Sequence, residues 1–237
     1  MALPKIQHPT ILIKVPPANK EYTFRPMLVK EEKLLLMAKT SEDDTDILSS
    51  IKQVVNNCSL DDKFDVDNIP LFALEYVFLK LRGISIGDQV KVSYKDYEDE
   101  SVYDFIIPLN KVEIKYPENM NNKIAVTDTA GVIMKYPPAT LYDDKEFLAT
   151  VGDDSFYNLI IRCIDKVYDA ENLYEAKDFD DKDLLEFIEL LDIKSFDLIK
   201  NFMENLPKLY YKIEYKNKKE NNRTIELVSL SDFFILR

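Results

Sequence analysis

Gly83-Ile-Ser85-Ile-Gly87 is the stretch of this 237-residue chain whose residue types and spacing match a catalytic device. A G-x-S-x-G holds a nucleophilic serine on a sharp strand-to-helix turn, with an acid and then a histidine following in the chain. Here the apolar run before it reads as a helix and the alternation after it as a strand, the reverse order. The only histidine, His8, lies upstream. The spacing therefore predicts a glycine-flanked helix-to-strand connection, with a Ser85-dependent hydrolase as the lesser alternative.

Four glycines (Gly83, Gly87, Gly131 and Gly152), with neither G-x-G-x-x-G nor a P-loop pattern, leave out the usual phosphate cradles. One histidine and two distant cysteines cannot supply the common zinc spacings. Asp61-Asp-Lys-Phe-Asp65-Val-Asp67 lacks the ligand order and turn glycine of an EF-hand and reads as a solvated loop. Cys58 and Cys163 each fall on an apolar helical stripe, which predicts buried thiols in a reducing compartment. Lys216-Asn-Lys218-Lys219, with Arg223 nearby, has the chemistry to touch a phosphate or an acidic partner, but its setting predicts a soluble hairpin tip. With 43 acids, some carboxylate pair looks plausible anywhere, so none is singled out. No catalytic, cofactor-binding or metal-ligating residue is expected, and no cofactor.

Charge and hydropathy narrow the class further. Lys plus Arg is 31 against 43 for Asp plus Glu, a net charge of −12, and only five of the cations are Arg. Phosphate recognition wants clustered cations and prefers Arg, so no nucleic-acid partner is expected. A regulatory acidic protein that mimics nucleic acid is a further reading of the same balance. The most apolar run, Ile69 to Leu81, contains Glu75 and Lys80 and falls short of the ~20 residues a membrane span needs. No apolar stretch follows a basic start at the N-terminus. The expectation is a soluble chain with no membrane partner.

The elements that must position any site follow from periodicity. Thr10 to Val15 and Glu21 to Arg25 flank Pro16-Pro17-Ala18-Asn19 as a hairpin. A helix over Leu28 to Lys39 is followed by a polar break, Thr40 to Asp46, and by a helix with Ile47, Leu48, Ile51, Val54, Val55 and Cys58 on one face. Pro70 to Arg82 is apolar nearly all round, so it is either the central core helix or has one side at an interface. From Asp88 to Tyr136 the period is two, which means antiparallel hairpins. Phe156, Leu159, Ile160, Cys163, Ile164 and Val167 then form a helical stripe, with Asp154 or Ser155 placed to cap it. Asp180 and Asp192 are candidate caps of two further helices, and Leu209 to Leu227 is a last hairpin. The fold class is α+β, with N-terminal, central and C-terminal antiparallel hairpins alternating with two helical blocks. A single unit is expected: hairpin 1–27, helical 28–87, hairpins 88–137, helical 138–206, and hairpin with tail 207–237.

Packing residues carry a family resemblance. Phe24-Arg-Pro-Met-Leu-Val-Lys-Glu-Glu-Lys-Leu-Leu-Leu-Met-Ala38, Ile51-Lys-Gln-Val-Val-Asn-Asn-Cys58 and Leu71 to Arg82 with Ser85-Ile-Gly87 resemble the T4-like bacteriophage baseplate proteins of central-hub assembly. So do Tyr157 to Asp165, Phe202-Met-Glu-Asn-Leu-Pro-Lys208 and Asp232-Phe-Phe234. The resemblance runs in order along nearly the whole chain, least so over Asp88 to Tyr136, and supplies no site motif to carry over. It implies a non-enzymatic protein that helps build the baseplate hub of a contractile tail by binding other tail or hub proteins, with oligomerisation open. In role and length it is also similar to chaperones that hold a tape-measure protein and leave before the virion matures. It implies the host cytoplasm during assembly, and the virion baseplate if the chain is retained. Candidate contact residues are Leu71, Phe72 and Phe78 on the apolar helix, and Leu230, Phe233, Phe234 and Ile235 near the C-terminus.

Overall fold

The computed structural model describes residues 6–41, 44–118, 120–150 and 152–233. Strands β1 (Ile11–Val15) and β2 (Lys20–Phe24) precede helices α1 (Val29–Ser41), α2 (Asp44–Cys58) and α3 (Leu71–Ser85). Strands β3 (Gln89–Lys95), β4 (Val102–Pro108), β5 (Glu113–Lys115), β6 (Lys123–Ala125) and β7 (Gly131–Met134) come next. Helices α4 (Lys145–Leu148) and α5 (Asp153–Cys163) lead to strands β8 (Ile164–Tyr168) and β9 (Leu173–Glu175). Helices α6 (Asp181–Glu189) and α7 (Ile193–Glu204), strands β10 (Lys208–Lys216) and β11 (Asn222–Leu227) and the single turn α8 (Leu230–Phe233) complete the order. All strand pairs are antiparallel, so the fold is α+β.

Two compact units divide the chain. The first takes residues 6–66, 72–115 and 208–233 of those described. Its hairpins keep the register that alternation requires: Val90 faces Ile107, Val92 faces Phe105 and Tyr94 faces Tyr103. Helix α2 buries Ile51, Val54, Val55 and Cys58. The polar break before it is narrower than its composition suggests, since α1 runs through Ser41 and α2 begins at Asp44; residues 42–43 lie outside the described residues. Helix α3 buries Phe72, Ala73, Leu74, Val77, Phe78, Leu79 and Leu81. Lys80 is tolerated there because its ammonium donates to the carbonyls of Leu109, Asn110 and Val112 at 3.2, 3.3 and 3.1 Å. Strand β5 makes no local hairpin; Ile114 pairs with Leu209, giving a sheet ordered β11-β10-β5.

An ion pair ties β2 to the helices of this unit. Arg25 donates to Glu31 Oε1 and Oε2 at 3.0 and 3.2 Å and to the Asn57 carbonyl at 2.7 Å. Glu31, 1% exposed, also accepts the Leu28 N–H at 2.8 Å, as a residue at the N-terminal turn of α1 should. Burial pushes the Glu31 carboxyl up, but Arg25 and that N–H hold it below its ordinary value.

The second unit comprises residues 67–71 and 116–207. Residues 67–71 join it through the Leu71 N–H on the Pro137 carbonyl (2.8 Å) and the Ala139 N–H on the Ile69 carbonyl (3.0 Å). A sheet ordered β6-β7-β8-β9 supplies Ile124, Val132, Met134 and Ile164 to its core, and α5, α6 and α7 supply Ile160, Leu184, Ile188, Ile199 and Phe202. The cap readings hold for two helices: Asp180 accepts from the Asp183 N–H, and Asp192 from the Ser195 N–H. They fail for α5, whose N-cap is Gly152 at φ 70°, where a Cβ would be strained. The helical stripe also ends early. α5 stops at Cys163, and Ile164 and Val167 lie in β8 opposite Met134 and Val132. Apolar residues at 163, 164 and 167 suit either period, and the partner strand β7 decides for extension.

Candidate interaction surfaces

Ser85 lies in the last turn of α3, where its hydroxyl donates to the Leu81 carbonyl and accepts the Met27 N–H at 2.8 Å. It braces the chain between β2 and α1 against α3, and α3 leads into β3 rather than out of a strand. Cys58 and Cys163 are fully buried, and burial pushes their thiols up to about 11 and about 12, away from thiolate reactivity. No group of three or more His, Cys, Asp or Glu side chains among the described residues is placed to hold a metal ion. No helix there is long and apolar enough to cross a membrane.

The basic C-terminal turn is not a free tip: it is docked on the acidic turn between β3 and β4. Asn217 and Asn221 donate to the two Glu98 carboxylate oxygens at 2.7 and 2.6 Å, and Lys219 Nζ to the Glu98 carbonyl at 2.6 Å. The Lys218 N–H reaches Asp99 at 2.8 Å, while Tyr215 donates to the fully buried Asp96 at 2.6 Å and Arg223 lies 3.3 Å from it. Tyr103 and Phe105 pack against Tyr215, with ring centroids 4.9 and 5.2 Å away. Burial raises the Asp99 carboxyl, but the Tyr103 hydroxyl and the Ser101 and Lys218 N–H groups outweigh it and bring it down to about 2. A depressed carboxylate stabilises the fold above its unfolded value of 3.8, and that contribution fades as pH falls toward 2. Asp99→Ala is expected to speed hydrogen exchange at the Lys218 amide at pH 7; unchanged protection would show that the two turns hold without it.

Glu75, half-buried on the apolar α3, has its carboxyl pushed by burial from an ordinary 4.5 up to about 7. Between those values the folded chain keeps a proton the unfolded chain has lost, so stability falls as pH rises from 4.5 to 7 and then levels. Glu75→Gln is expected to gain about 2 kcal/mol at pH 8, below the full value of such a shift because some exposure remains, and nothing at pH 4. Urea midpoints at the two pH values measure this directly.

Most of the sequence-predicted contact residues are inside. Phe72, Phe78 and Leu230 are buried, Phe233 is fully buried, Leu71 is half-buried, and Phe234 and Ile235 lie outside the described residues. In α8, Asp232 accepts the Val228 and Ser229 N–H groups, which holds the turn that buries Leu230 and Phe233. The apolar side chains that do face solvent are others. In the first unit they include Val29, Leu36 and Met37 on α1 (67, 57 and 70% exposed) and Val102 and Ile106 on β4. In the second they include Leu173 on β9 (56% exposed) and, at the α6–α7 corner, Leu190 and Ile193 (each 80%) with Leu198 (52%). All eight carboxylate residues between Asp178 and Asp197 are exposed, against two lysines, Lys182 and Lys194. Beyond Leu198, Asn201 and Asn205 line a groove of about 650 Å³ alongside the edge strand β6. The signal for α1 was present in the sequence as apolar residues on both sides of the helix.

A protein-family model described as T4 bacteriophage base plate protein matches residues 8–235. Searches of curated proteins and of solved structures found no match.

Proposed function

The chain belongs to the T4 bacteriophage base plate protein family, and from that premise we propose that it is a non-enzymatic tail assembly protein that helps build the central hub of the baseplate by binding other tail proteins. The observation that carries this reading is the family match across nearly the whole chain. The apolar side chains left in solvent on regular helices support it, since exposed apolar surface beyond scattered single residues marks association. Val29, Leu36, Met37, Leu190 and Ile193 would make first contact. Phe72, Phe78, Leu230 and Phe233 would take part only if a partner uncovers them.

Co-expression of the full chain with hub and tape-measure proteins of the same phage, followed by affinity capture and native mass spectrometry, tests the reading. A stoichiometric complex with a hub protein is expected. Capture of the tape-measure protein alone, with the chain missing from purified particles, would replace the hub role with that of a departing chaperone. A folded chain that captures neither would overturn both.

A further inference from the structure

The sheet of the second unit has an open edge beside a helical wall. In the order β6-β7-β8-β9, β6 pairs only with β7. The Met134 N–H bonds the Asn122 carbonyl and the Val126 N–H the Ala130 carbonyl, each at 2.8 Å, so residues 122, 124 and 126 turn their backbone groups toward β7. Lys123 and Ala125 turn theirs away from the sheet. Asn121 Oδ1 meets the Lys123 N–H at 3.0 Å, whereas the Lys123 carbonyl and both backbone groups of Ala125 have no hydrogen-bond partner among the described residues. Such an edge is ordinarily blunted by an outward charge. Here the charge is drawn off: Lys123 Nζ lies 4.6 Å from the centre of the Tyr168 ring on β8, over the sheet rather than along its edge. Lys123 and Ala125 line the groove of about 650 Å³ whose other wall is α7. Asn205 donates to the Asn201 carbonyl and Oδ1 at 2.8 and 3.0 Å, which steadies that wall, and Ser195 Oγ ties α7 to the Val126 carbonyl at 3.1 Å. From Leu198 to Asn205 the helix rises about 10 Å, the span of about three residues of extended chain. Among the described residues the groove carries one acid, Glu118, and one base, Lys123.

We infer that this groove takes an extended, uncharged segment of a partner protein, about three residues long, which adds a strand to β6. The open backbone selects the occupant. Unpaired N–H and C=O groups recurring at every second residue match an extended chain, while a helix spends its own groups internally and leaves these unmet. The added strand bonds the Ala125 N–H and carbonyl and the Lys123 carbonyl, and gains a further bond where it displaces Asn121 from the Lys123 N–H. Its residue opposite Ile124 points to the same side of the sheet as Ile124, toward Leu198 and Phe202, and is therefore apolar. With one acid and one base offsetting each other, the groove gives a charged side chain nothing to gain. The inference rests on the reading that the chain binds other tail proteins, and names where and in what conformation one of them is held.

The co-expression capture, repeated with full-length variants, tests it. Leu198→Lys puts a charge where the apolar side chain rests. Ala125→Pro removes a donor that no strand of this chain uses, the setting in which edge strands accept proline. Each is expected to weaken capture of the tail protein about tenfold or more, and hydrogen exchange at the Ala125 amide is expected to slow about tenfold or more in the wild-type complex. Leu173→Lys, exposed on the opposite edge strand β9, is expected to capture like the wild type. Thermal melts check that each variant is folded; Leu198 is exposed, so its variant decides the matter even if the proline disturbs β6. A wild type that captures no tail protein overturns the functional reading and this inference with it. Capture that Leu198→Lys does not weaken, or that leaves Ala125 exchange unchanged, overturns the groove alone and leaves that reading standing. Association of the chain only with itself through these residues overturns the partner protein as occupant.

Discussion

Replacing Arg25 with methionine is expected to cost the first unit about 3 kcal/mol at pH 7, because it strands Glu31 at 1% exposure without its guanidinium. Breaking a buried pair from one side typically costs about 3–5 kcal/mol. The low end applies because Lys30 Nζ remains 3.5 Å from Glu31 Oε1 and the Leu28 N–H still donates. Arg25 also reaches the Asn57 carbonyl and lies 3.7 Å from Cys58 Sγ, so the loss extends to the C-terminal end of α2. The pH dependence separates charge from packing. In the wild type Glu31 titrates below its ordinary 4.5, so its contribution is present above that value and is lost as pH falls. In Arg25→Met the stranded carboxylate is the defect, so the cost should be largest at pH 7 and shrink toward pH 4 as Glu31 takes up a proton. The double variant Arg25→Met, Glu31→Leu should regain most of the stability. Urea denaturation of all three proteins at both pH values decides the matter; a cost independent of pH would assign Arg25 a packing role.

Gly131→Ala is the second large effect, expected to destabilise the second unit by about 3 kcal/mol or more. Gly131 opens β7, paired with Ala125 on one side and Tyr168 on the other. A Cβ there would overlap the Ile124 carbonyl oxygen and the Tyr168 phenol. Tyr168 can turn away, but the Ile124 carbonyl belongs to the backbone of β6 and can yield only by opening the sheet. Gly83→Ala is the control. At Gly83, in α3, the nearest atom to an added Cβ is Leu109 Cβ at 3.8 Å, an ordinary contact. That change should stabilise by roughly 0.5 kcal/mol through helix propensity. Hydrogen exchange over β6 to β9 measures the first change and the urea midpoint the second. Equal behaviour of the two alanine variants would remove the steric account of Gly131.

How far the sequence could be read depends on how far apart in the chain the interacting residues lie. Alternation assigned the faces of β3 and β4, because each strand presents its side chains to two sides whatever lies beyond it. The caps at Asp180 and Asp192 were legible because a cap acts on N–H groups three residues away. Their places on apolar stripes likewise pointed to Cys58 and Cys163 as buried thiols. Packing residues from Phe24 to Gly87, Tyr157 to Asp165, Phe202 to Lys208 and Asp232 to Phe234 carried the family resemblance, and the match over residues 8–235 bears it out.

Other features needed the tertiary structure. The five alternating residues from Val112 to Tyr116 say strand but not whose neighbour, and β5 found its partner in β10. Cys163, Ile164 and Val167 fit a helix as well as a strand until β7 lies alongside. The basic turn at Lys218 looked solvated because its acidic counterpart, Glu98 and Asp99, is more than a hundred residues earlier. The candidate contact surface moved for the same reason. Phe72, Phe78 and Phe233 are apolar enough to bind a partner, but other parts of the chain already cover them. Val29, Leu36 and Met37 have no such cover, because the inward face of α1 is taken by Glu31, Ala38 and the half-buried Leu34 and Leu35. Period, caps and composition act within a few residues and are written locally. Strand partners, charge partners and the choice of which apolar face is covered depend on segments that only folding brings together.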